Sequence, residues 1–469
     1  MRARARFRPA LSTQVAGRSR PSASVAAFLS FLWPGLGQWY AGRRRAALTY
    51  ALPFTVVAVA VLAEALGGAD RLFLRLLDPS VALTSLILVG LLAAWRLLSM
   101  ADAAIVSGGR VALRRPQTAA AFSAMAIAVV AAHTLAALVA WSFYSSGSQI
   151  FVADQGPDRG LQASPPPSGL DDGFRATPGA TPPTAAARIN VLLTGIDSSP
   201  TRDHALTDTL IVASIDPATG DVVMVSFPRD IANFPLRNGA TYTGKINSLM
   251  TYAAANPDRF EGGGLPTLMD ELGHLLGIPI HYYAAVNLDG FERMIDVVGG
   301  VTIDNERAIN DPGYGGWKDG RVGFRLSAGR HTLDGPTALA YVRSRRGAGD
   351  NDFTRARRQQ QLLVALQKKM SDPGMVSRLP SILDAADDTI RTNFPAPRLT
   401  EMLDLSRTIA ESNVRQYVLG PPFSTRPPLS ETDGIYTLRL DLDRLADLSI
   451  ELFGDESGYA DANGDESDP

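Results

Sequence analysis

Between positions 341 and 360 the chain reads Tyr341-Val342-Arg343-Ser344-Arg345-Arg346, then Asp350, then Asp352-Phe353-Thr354-Arg355-Ala356-Arg357-Arg358-Gln359-Gln360. On a helix, Arg355, Arg358 and Gln359 fall at i, i+3 and i+4 and share a face. Leu362, Leu363 and Leu366 continue that side into apolar core. A helix that is apolar at one end and doubly cationic at the other points its guanidinium groups into a cleft. Converging guanidinium groups need an anion, and their planar fork suits phosphate oxygens. A cationic helix start also opposes the helix dipole, a local cost that hints at function. The plainer alternative is a solvated basic helix start, or arginines paired with nearby aspartates.

Two carboxylates form a second constellation. Gly195-Ile196-Asp197 follows one apolar run directly, and Thr207-Asp208-Thr209 directly precedes another. Strand ends are where α/β proteins usually bind ligands. Two carboxylates with no His or Cys nearby suit a hard cation, Mg²⁺ or Mn²⁺, that bridges phosphate oxygens; alone, they read equally as turn aspartates capping backbone amides. A third group, Ser226-Phe227-Pro228-Arg229-Asp230, leaves another strand through a proline that aims Arg229 toward the edge bearing Asp197 and Asp208. A surface Arg–Asp pair is the alternative there.

Other chemistries are excluded. Gly239-Ala240-Thr241-Tyr242-Thr243-Gly244-Lys245 nearly spells a phosphate-binding loop, but Ile246 replaces the required Ser or Thr. The five histidines, at 133, 204, 274, 281 and 331, show no zinc-ligand spacing. No nucleophile-elbow motif is present. The count of cysteines is 0, which removes thiol nucleophiles, thiolate metal sites and disulfides.

The 469 residues that must position these groups divide sharply. A net charge of -2 with 20% charged residues gives no global pull toward nucleic acid. Residues 1–24 are a basic cytoplasmic N-terminus, and 25–144 form a membrane region. Apolar stretches at 46–66, 81–98 and 119–143 approach or exceed the about 20 residues that a span needs. The second ends at Arg96, which marks its cytoplasmic edge, and 25–41, broken by Pro34-Gly35, reads as a re-entrant or interfacial hairpin. Basic islands at 2–20, 43–45 and 110–115 on the cytoplasmic side place everything after Phe143 outside. A cleaved signal peptide at 1–45 is the rival, but further spans follow it. The expected localisation is the cell membrane, multi-pass. Residues 145–187, rich in Pro, Gly and Ser, read as a flexible linker with a reach of about 35 Å. Residues 454–469 read as an acidic disordered tail.

Between them, 188–453 alternates strand and helix patterns. Strands are expected at 189–193, 209–215, 222–227, 282–286, 301–304, 414–419 and 436–440; helices at 248–255, 265–276, 291–297, 353–370, 399–411 and 442–453. The expected class is α/β: an extracytoplasmic α-β-α layered domain with a central mixed sheet, preceded by an α-helical transmembrane region.

These pieces, in this order, resemble the LytR–CpsA–Psr family of cell-wall glycopolymer ligases. The matching stretches are 190–197, 207–209, 226–230, Lys245-Ile246-Asn247, 291–301 with Asp296 and Gly299-Gly300, and 333–360. The resemblance covers about 188–370. It implies transfer of a glycopolymer phosphate from a polyprenyl-pyrophosphate carrier onto a peptidoglycan acceptor at the membrane. By resemblance, Asp197 and Asp208 bind Mg²⁺. Arg229, Arg345, Arg355 and Gln359 contact the pyrophosphate, with Arg343 and Arg358 in support. Asp352 orients the arginines or takes the acceptor proton. Ser199 departs from the family, which often has an Arg there, and Arg202 follows nearby. The extra spans also depart from the usual single one. The same site in a lipid-pyrophosphate hydrolase, or in a non-catalytic lipid-binding regulator, is the alternative.

Overall fold

The structure, a computed structural model, describes residues 21–112, 114–151, 188–197, 206–260, 262–317, 319–386, 389–410 and 413–460. It divides into two compact units, one of residues 1–68 and 83–142 and one of 69–82 and 143–469. The basic N-terminus to residue 20, most of the expected linker and the last nine residues lie outside the described residues.

In the first unit, α1 (Ala23–Leu32) and α2 (Leu36–Tyr40) flank a break at Pro34-Gly35, where Gly35 has φ 95°. Helix α3 (Arg44–Leu66) follows. After a short α4 (Ala69–Leu76), which belongs to the second unit, come α5 (Pro79–Ala112) and α6 (Pro116–Ile150). Helices α3, α5 and α6 are long and apolar enough to cross a membrane. The polar groups freed at the α1–α2 break find partners. Gln38 accepts from Ser30 at 3.1 Å and donates to the Ser99 carbonyl at 2.9 Å and to Asp102 at 3.1 Å, while the Gly35 amide donates to Ser99 Oγ at 3.2 Å. The sequence expectation that the second span ends at Arg96 is not met by its helix, which runs on to Ala112. The Arg96 guanidinium donates to the Phe31 carbonyl at 2.5 Å and lies over the Phe31 and Phe54 rings, so the charge is absorbed within the unit and α5 runs on.

The second unit is built on a six-stranded sheet, ordered β11-β6-β1-β2-β3-β12. Strand β1 (Ile189–Asp197) runs antiparallel to β2 (Leu206–Ile215), and β2 antiparallel to β3 (Val222–Ser226). The β2–β3 turn is closed by Asp216, whose Oδ1 accepts from the Ala218 amide at 2.8 Å, and by Gly220 at φ 72°. A hairpin of β4 (Ala232–Pro235) and β5 (Thr241–Lys245) leads into α7 (Ile246–Ala255) and α8 (Gly264–Leu276). Strand β6 (Tyr282–Asn287) returns parallel to β1, and α9 (Leu288–Val297) follows. Strand β7 (Val301–Asn305), the hairpin of β8 (Ile309–Asp311) and β9 (Phe324–Leu326), and β10 (Gly329–Leu333) lead to α10 (Gly335–Arg343) and α11 (Asp352–Met370). Helix α12 (Leu379–Ala386), β11 (Ile390–Thr392), α13 (Leu399–Thr408), β12 (Val414–Val418), the pair β13 (Ser424–Thr425) and β14 (Arg439–Leu440), and α14 (Leu442–Phe453) complete the unit. Parallel and antiparallel pairs make the sheet mixed, as expected.

Burial separates the layers. Leu192, Leu210, Val212, Val223 and Val225 pack with α7, α8 and α14 into one core. The alternate positions Leu193, Ile211, Ala213 and Met224 pack with Leu363 and Val364 of α11 on the opposite face. The period-2 alternation of these strands thus gives each face its own helical layer. Helices α9 and α10 enclose a further core, with Ile295, Val298, Val301, Leu339 and Tyr341 buried.

Two sequence boundaries are corrected. Ser145–Ile150, assigned to the linker, continue α6, and Phe151, assigned there too, forms a parallel bridge with Thr392 of β11; Phe143 and Ile150 are buried against Leu383 and Ala386. Apolar contact outweighs the loop-like Ser and Gly composition there. The first residues of the expected tail also fold back. Gly277 ends α8 in the left-handed region, and the Tyr459 hydroxyl donates to the carbonyls of His274 at 3.3 Å and Leu275 at 3.0 Å. Ser457 is buried at 1% exposure. A hydroxyl that reaches the last carbonyls of the helix explains why an acidic segment is held here.

Glu271, on α8, is fully buried and accepts the Arg237 amide at 2.9 Å. Burial pushes its carboxyl up to about 7, and Asp270 adds to the effect of burial while the Arg237 amide opposes it. The folded protein therefore keeps this proton as pH rises past 4.5, where an ordinary glutamate releases it. Stability from this group is full below pH 4.5 and falls as pH rises to about 7. Glu271→Gln is expected to flatten that fall, stabilising the protein by about 2 kcal/mol at pH 8 with little change at pH 4.5. Urea unfolding at the two pH values measures the difference, and an equal effect at both would show that the ionisation is not responsible.

Candidate active site

The site forms where β1, β2 and β3 end and α11 begins. The β1–β2 register shifts between Gly195 and Ile196, pairing Gly195 with Thr209 but Ile196 with Thr207. Asp208 is therefore the extra residue of a bulge, a feature that re-aims a side chain at a strand end. Asp197 closes β1 opposite Leu206, so the backbone brings both aspartates to one sheet edge. Ser199 and Arg202 lie outside the described residues.

Arg229 follows β3 and donates from Nη1 to Asp208 Oδ1 at 2.6 Å; its Nε stands 3.7 Å from Asp230 Oδ2. Asp230 is 6% exposed and takes Lys245 Nζ at 2.5 Å. The alternative of a surface Arg–Asp pair is thus ruled out. Burial alone would lower the Arg229 pKa, but the hydrogen-bonded Asp208, with Asp352 and Asp230, outweighs it and the guanidinium is held above its ordinary value. Burial raises the Asp230 carboxyl; Lys245 opposes the shift, and a hydrogen bond shared with Asp352 adds to it.

Helix α11 brings the other half. Asn351 caps it, accepting the Phe353 and Thr354 amides at 2.9 Å each, and Thr354 Oγ1 closes the capping box by accepting the Asn351 amide at 2.9 Å. Asp352 in the first turn offsets the dipole cost of the arginines. Its Oδ1 lies 3.3 Å from Arg355 Nη2 and 3.6 Å from Arg345 Nη1. Arg355 is 6% exposed, and its Nε has no hydrogen-bond partner. Burial lowers its pKa, with Arg229 adding and Asp352, Asp208 and Asp230 opposing. These mutual influences put Arg229, Arg355, Asp208, Asp230 and Asp352 in one cluster.

The remaining expected residues divide. Gln359 sits one turn beyond Arg355, donates to the Val342 carbonyl at 3.3 Å, and lines an apolar cavity of about 120 Å³ with Leu193, Phe291, Leu339, Leu362 and Leu363. Arg358 lies on another face. Its Nη2 donates to the Ser344 carbonyl at 2.5 Å and meets Asp350 at 3.4 Å, with its guanidinium over the Tyr341 ring. Sequence spacing put Arg355 and Arg358 on one face; packing sends them to different neighbours. Arg343 ends α10, and its charge acts on the Tyr314 phenol.

Asp311 escaped the sequence reading. It is 1% exposed, and its Oδ2 accepts Ser344 Oγ at 2.8 Å and the amides of Arg345 at 3.1 Å and Arg346 at 3.0 Å. It fixes the turn that carries Arg345. Only its neighbour Pro312 gave a local signal, and that marks a turn. Lys245 was the decoy loop's lysine; here it closes β5 and neutralises Asp230.

The donor types fit a hard cation, since oxygen ligands alone are available. Arg229 takes Oδ1 of Asp208, and among the described residues no group of three or more possible metal ligands gathers. A cation held by Asp208 and Asp197 would complete its shell with water and ligand oxygens, as Mg²⁺ commonly does.

Over 227 residues the chain is 29% identical to the polyisoprenyl-teichoic acid–peptidoglycan teichoic acid transferase TagU of Halalkalibacterium halodurans, a match covering 48% of this chain and 67% of that protein. The protein of the same description from Oceanobacillus iheyensis is 32% identical over 219 residues, covering 46% of this chain and 62% of its own length. The crystal structure of B. subtilis TagV aligns with a TM-score of 0.46 and 23% identity, over 59% of this chain and 99% of that one. The model of the LytR_cpsA_psr family matches residues 174–449, more than half of the sequence, and the chain belongs to that family.

Proposed function

We propose that this protein is a membrane-anchored phosphotransferase that moves a glycopolymer phosphate from a polyprenyl-pyrophosphate carrier onto peptidoglycan. One observation carries the reading. Helix α11 puts the buried Arg355 in a cluster of opposite charges and, one and two turns on, puts Gln359, Leu362 and Leu363 on the wall of an apolar cavity. A doubly charged head joined to an isoprenoid tail matches both ends. The curated relatives' description as teichoic acid transferases supports the same substrate class. The three apolar helices suit a multi-pass anchor, and the basic islands before and between them support an orientation with the family domain outside the cytoplasm.

In this reading Arg229, Arg345 and Arg355 neutralise the pyrophosphate, so that charge shifting to the leaving group meets fixed cations. The acceptor hydroxyl attacks the phosphorus nearer the sugar. Its oxygen–phosphorus bond forms as the bond to the bridging oxygen breaks, and polyprenyl phosphate leaves. The acceptor's proton passes to the Asp230–Asp352 carboxyl pair. Asp197 and Asp208 would hold Mg²⁺, which supplies further charge neutralisation at the phosphate oxygens when bound.

The full-length protein in lipid nanodiscs, given lipid-linked donor with and without peptidoglycan, tests this reading. Transfer is expected to require the acceptor and Mg²⁺, and equal release of polyprenyl phosphate without acceptor would mean hydrolysis instead. Arg355→Ala is expected to lower transfer about 100-fold or more. Leu363→Trp, which fills the apolar cavity, is expected to raise the donor KM about tenfold. Full activity in both variants would refute the assignment.

The pH profile gives a separate check. Burial holds the Asp230 carboxyl above its ordinary value, so activity should fall on acidification at a higher pH than an ordinary aspartate would give. Lys245 lowers the Asp230 pKa, so Lys245→Met should move this acid limb to higher pH. A limb that stays in place would remove Asp230 from the proton path.

A further inference from the structure

A second cavity, of about 580 Å³, lies against another face of α11 and shares no wall residue with the apolar one. Thr354, Arg357, Arg358 and Gln361, spaced i, i+3, i+4 and i+7, form its helical wall; residues 305–309, from the end of β7 to the start of β8, and residues 416–418 of β12 line it as well.

Its charge is unlike that of the cluster described above. Arg358 is 7% exposed and hydrogen-bonds through Nη2, while its Nε and Nη1 have no hydrogen-bond partner among the described residues. Arg357, two residues beyond Arg355, is exposed and has no ion pair among the described residues. Arg307 meets Asp350 only at 4.0 Å. Three guanidinium groups thus stand in this wall against two carboxylates, Glu306 and Asp350, an excess of one positive charge. Tyr417 and Phe423 add aromatic surface, and Gln361 and Gln416 add amides.

These walls do not suit a hydrocarbon tail. A buried guanidinium with two unused donors suits an anion. Aromatic faces beside amides suit the faces and hydroxyls of sugar rings. We propose that this cavity binds an anionic carbohydrate segment, whose carboxylate or phosphate meets Arg357 and Arg358 while its sugars lie along Tyr417 and Phe423. The proposal rests on the transferase reading for its purpose alone. The pyrophosphate and the lipid already have their places, and a transferase must also hold a sugar chain, from donor or acceptor, beside them.

Isothermal titration of the full-length protein in nanodiscs tests the cavity without turnover. Three ligands serve: a soluble peptidoglycan fragment with its stem-peptide carboxylates, a lipid-free polymer of phosphate-linked alditols, and an uncharged oligosaccharide of N-acetylglucosamine. One of the two anionic ligands is expected to bind, and which one identifies the acceptor or the donor side. Arg357→Glu, a change at an exposed position, is expected to weaken that binding at least about tenfold, and Arg357→Lys to restore much of it. The uncharged oligosaccharide is expected to bind at least about tenfold more weakly than the anion. Thermal unfolding of the variants establishes that they are folded. The inference is overturned if neither anionic ligand binds, if Arg357→Glu binds as well as the natural protein, or if the uncharged ligand binds equally. Because no step is turned over, loss of transfer with binding retained would count against the transferase reading and leave the cavity assignment in place.

Discussion

Arg355 is a buried cation and Arg229 a half-buried one, and they remain charged in the folded protein because Asp208, Asp230 and Asp352 stand among them with Lys245 behind. Neither set of charges is stable alone: a buried ion without its counter-ion costs several kcal/mol. Each side chain in the cluster is therefore a condition for the others. A fixed field of this kind is what phosphoryl chemistry asks of a protein, because its dipoles and charges need not reorganise during reaction. The Nε atoms of Arg229 and Arg355 find no hydrogen-bond partner among the described residues, and they are donors that the cluster leaves open.

The backbone spends much of its local specificity on holding this cluster. The bulge at Asp208, the Asn351 cap, and the Asp311 carboxylate that gathers three donors from residues 344–346 all aim side chains rather than fill the core. Helix α11 then joins three environments: the charged cluster at Arg355, the apolar cavity at Leu362 and Leu363, and the polar cavity at Arg357 and Arg358.

Much of this was legible in the residue order. The strands and helices of the sheet layers follow from period-2 and period-3.6 patterns, and the arginine block announced an anion site. What escaped depends on contacts between distant positions. Asp311 is an ordinary turn residue until Ser344 and Arg345 fold onto it. Tyr459 lies in an acidic segment whose composition gives no hint that its hydroxyl reaches the last carbonyls of α8. The hairpin β4–β5 was hidden beneath a Gly-rich run resembling a phosphate loop, and β8–β10 are too short for periodicity to show. Arg358 was misplaced for a different reason. Residues at i and i+3 on a helix diverge by about 60°, enough to reach different pockets when two lie side by side.

Gln360 sits between those pockets, with no accessible surface, and its amide nitrogen reaches the Met224 carbonyl at 3.3 Å, Ser226 Oγ at 2.8 Å and the Tyr417 carbonyl at 2.8 Å. One side chain thereby pins α11 to two adjacent strands, β3 and β12. The helix is keyed like a shaft in its bearing and has no freedom to turn about its own axis. A single residue inserted between Arg355 and Gln360 would rotate the arginine by about 100° relative to that key. Helix propensity would hardly register the change, yet the guanidinium would leave its carboxylates. Length between those two positions is thus constrained as tightly as residue identity.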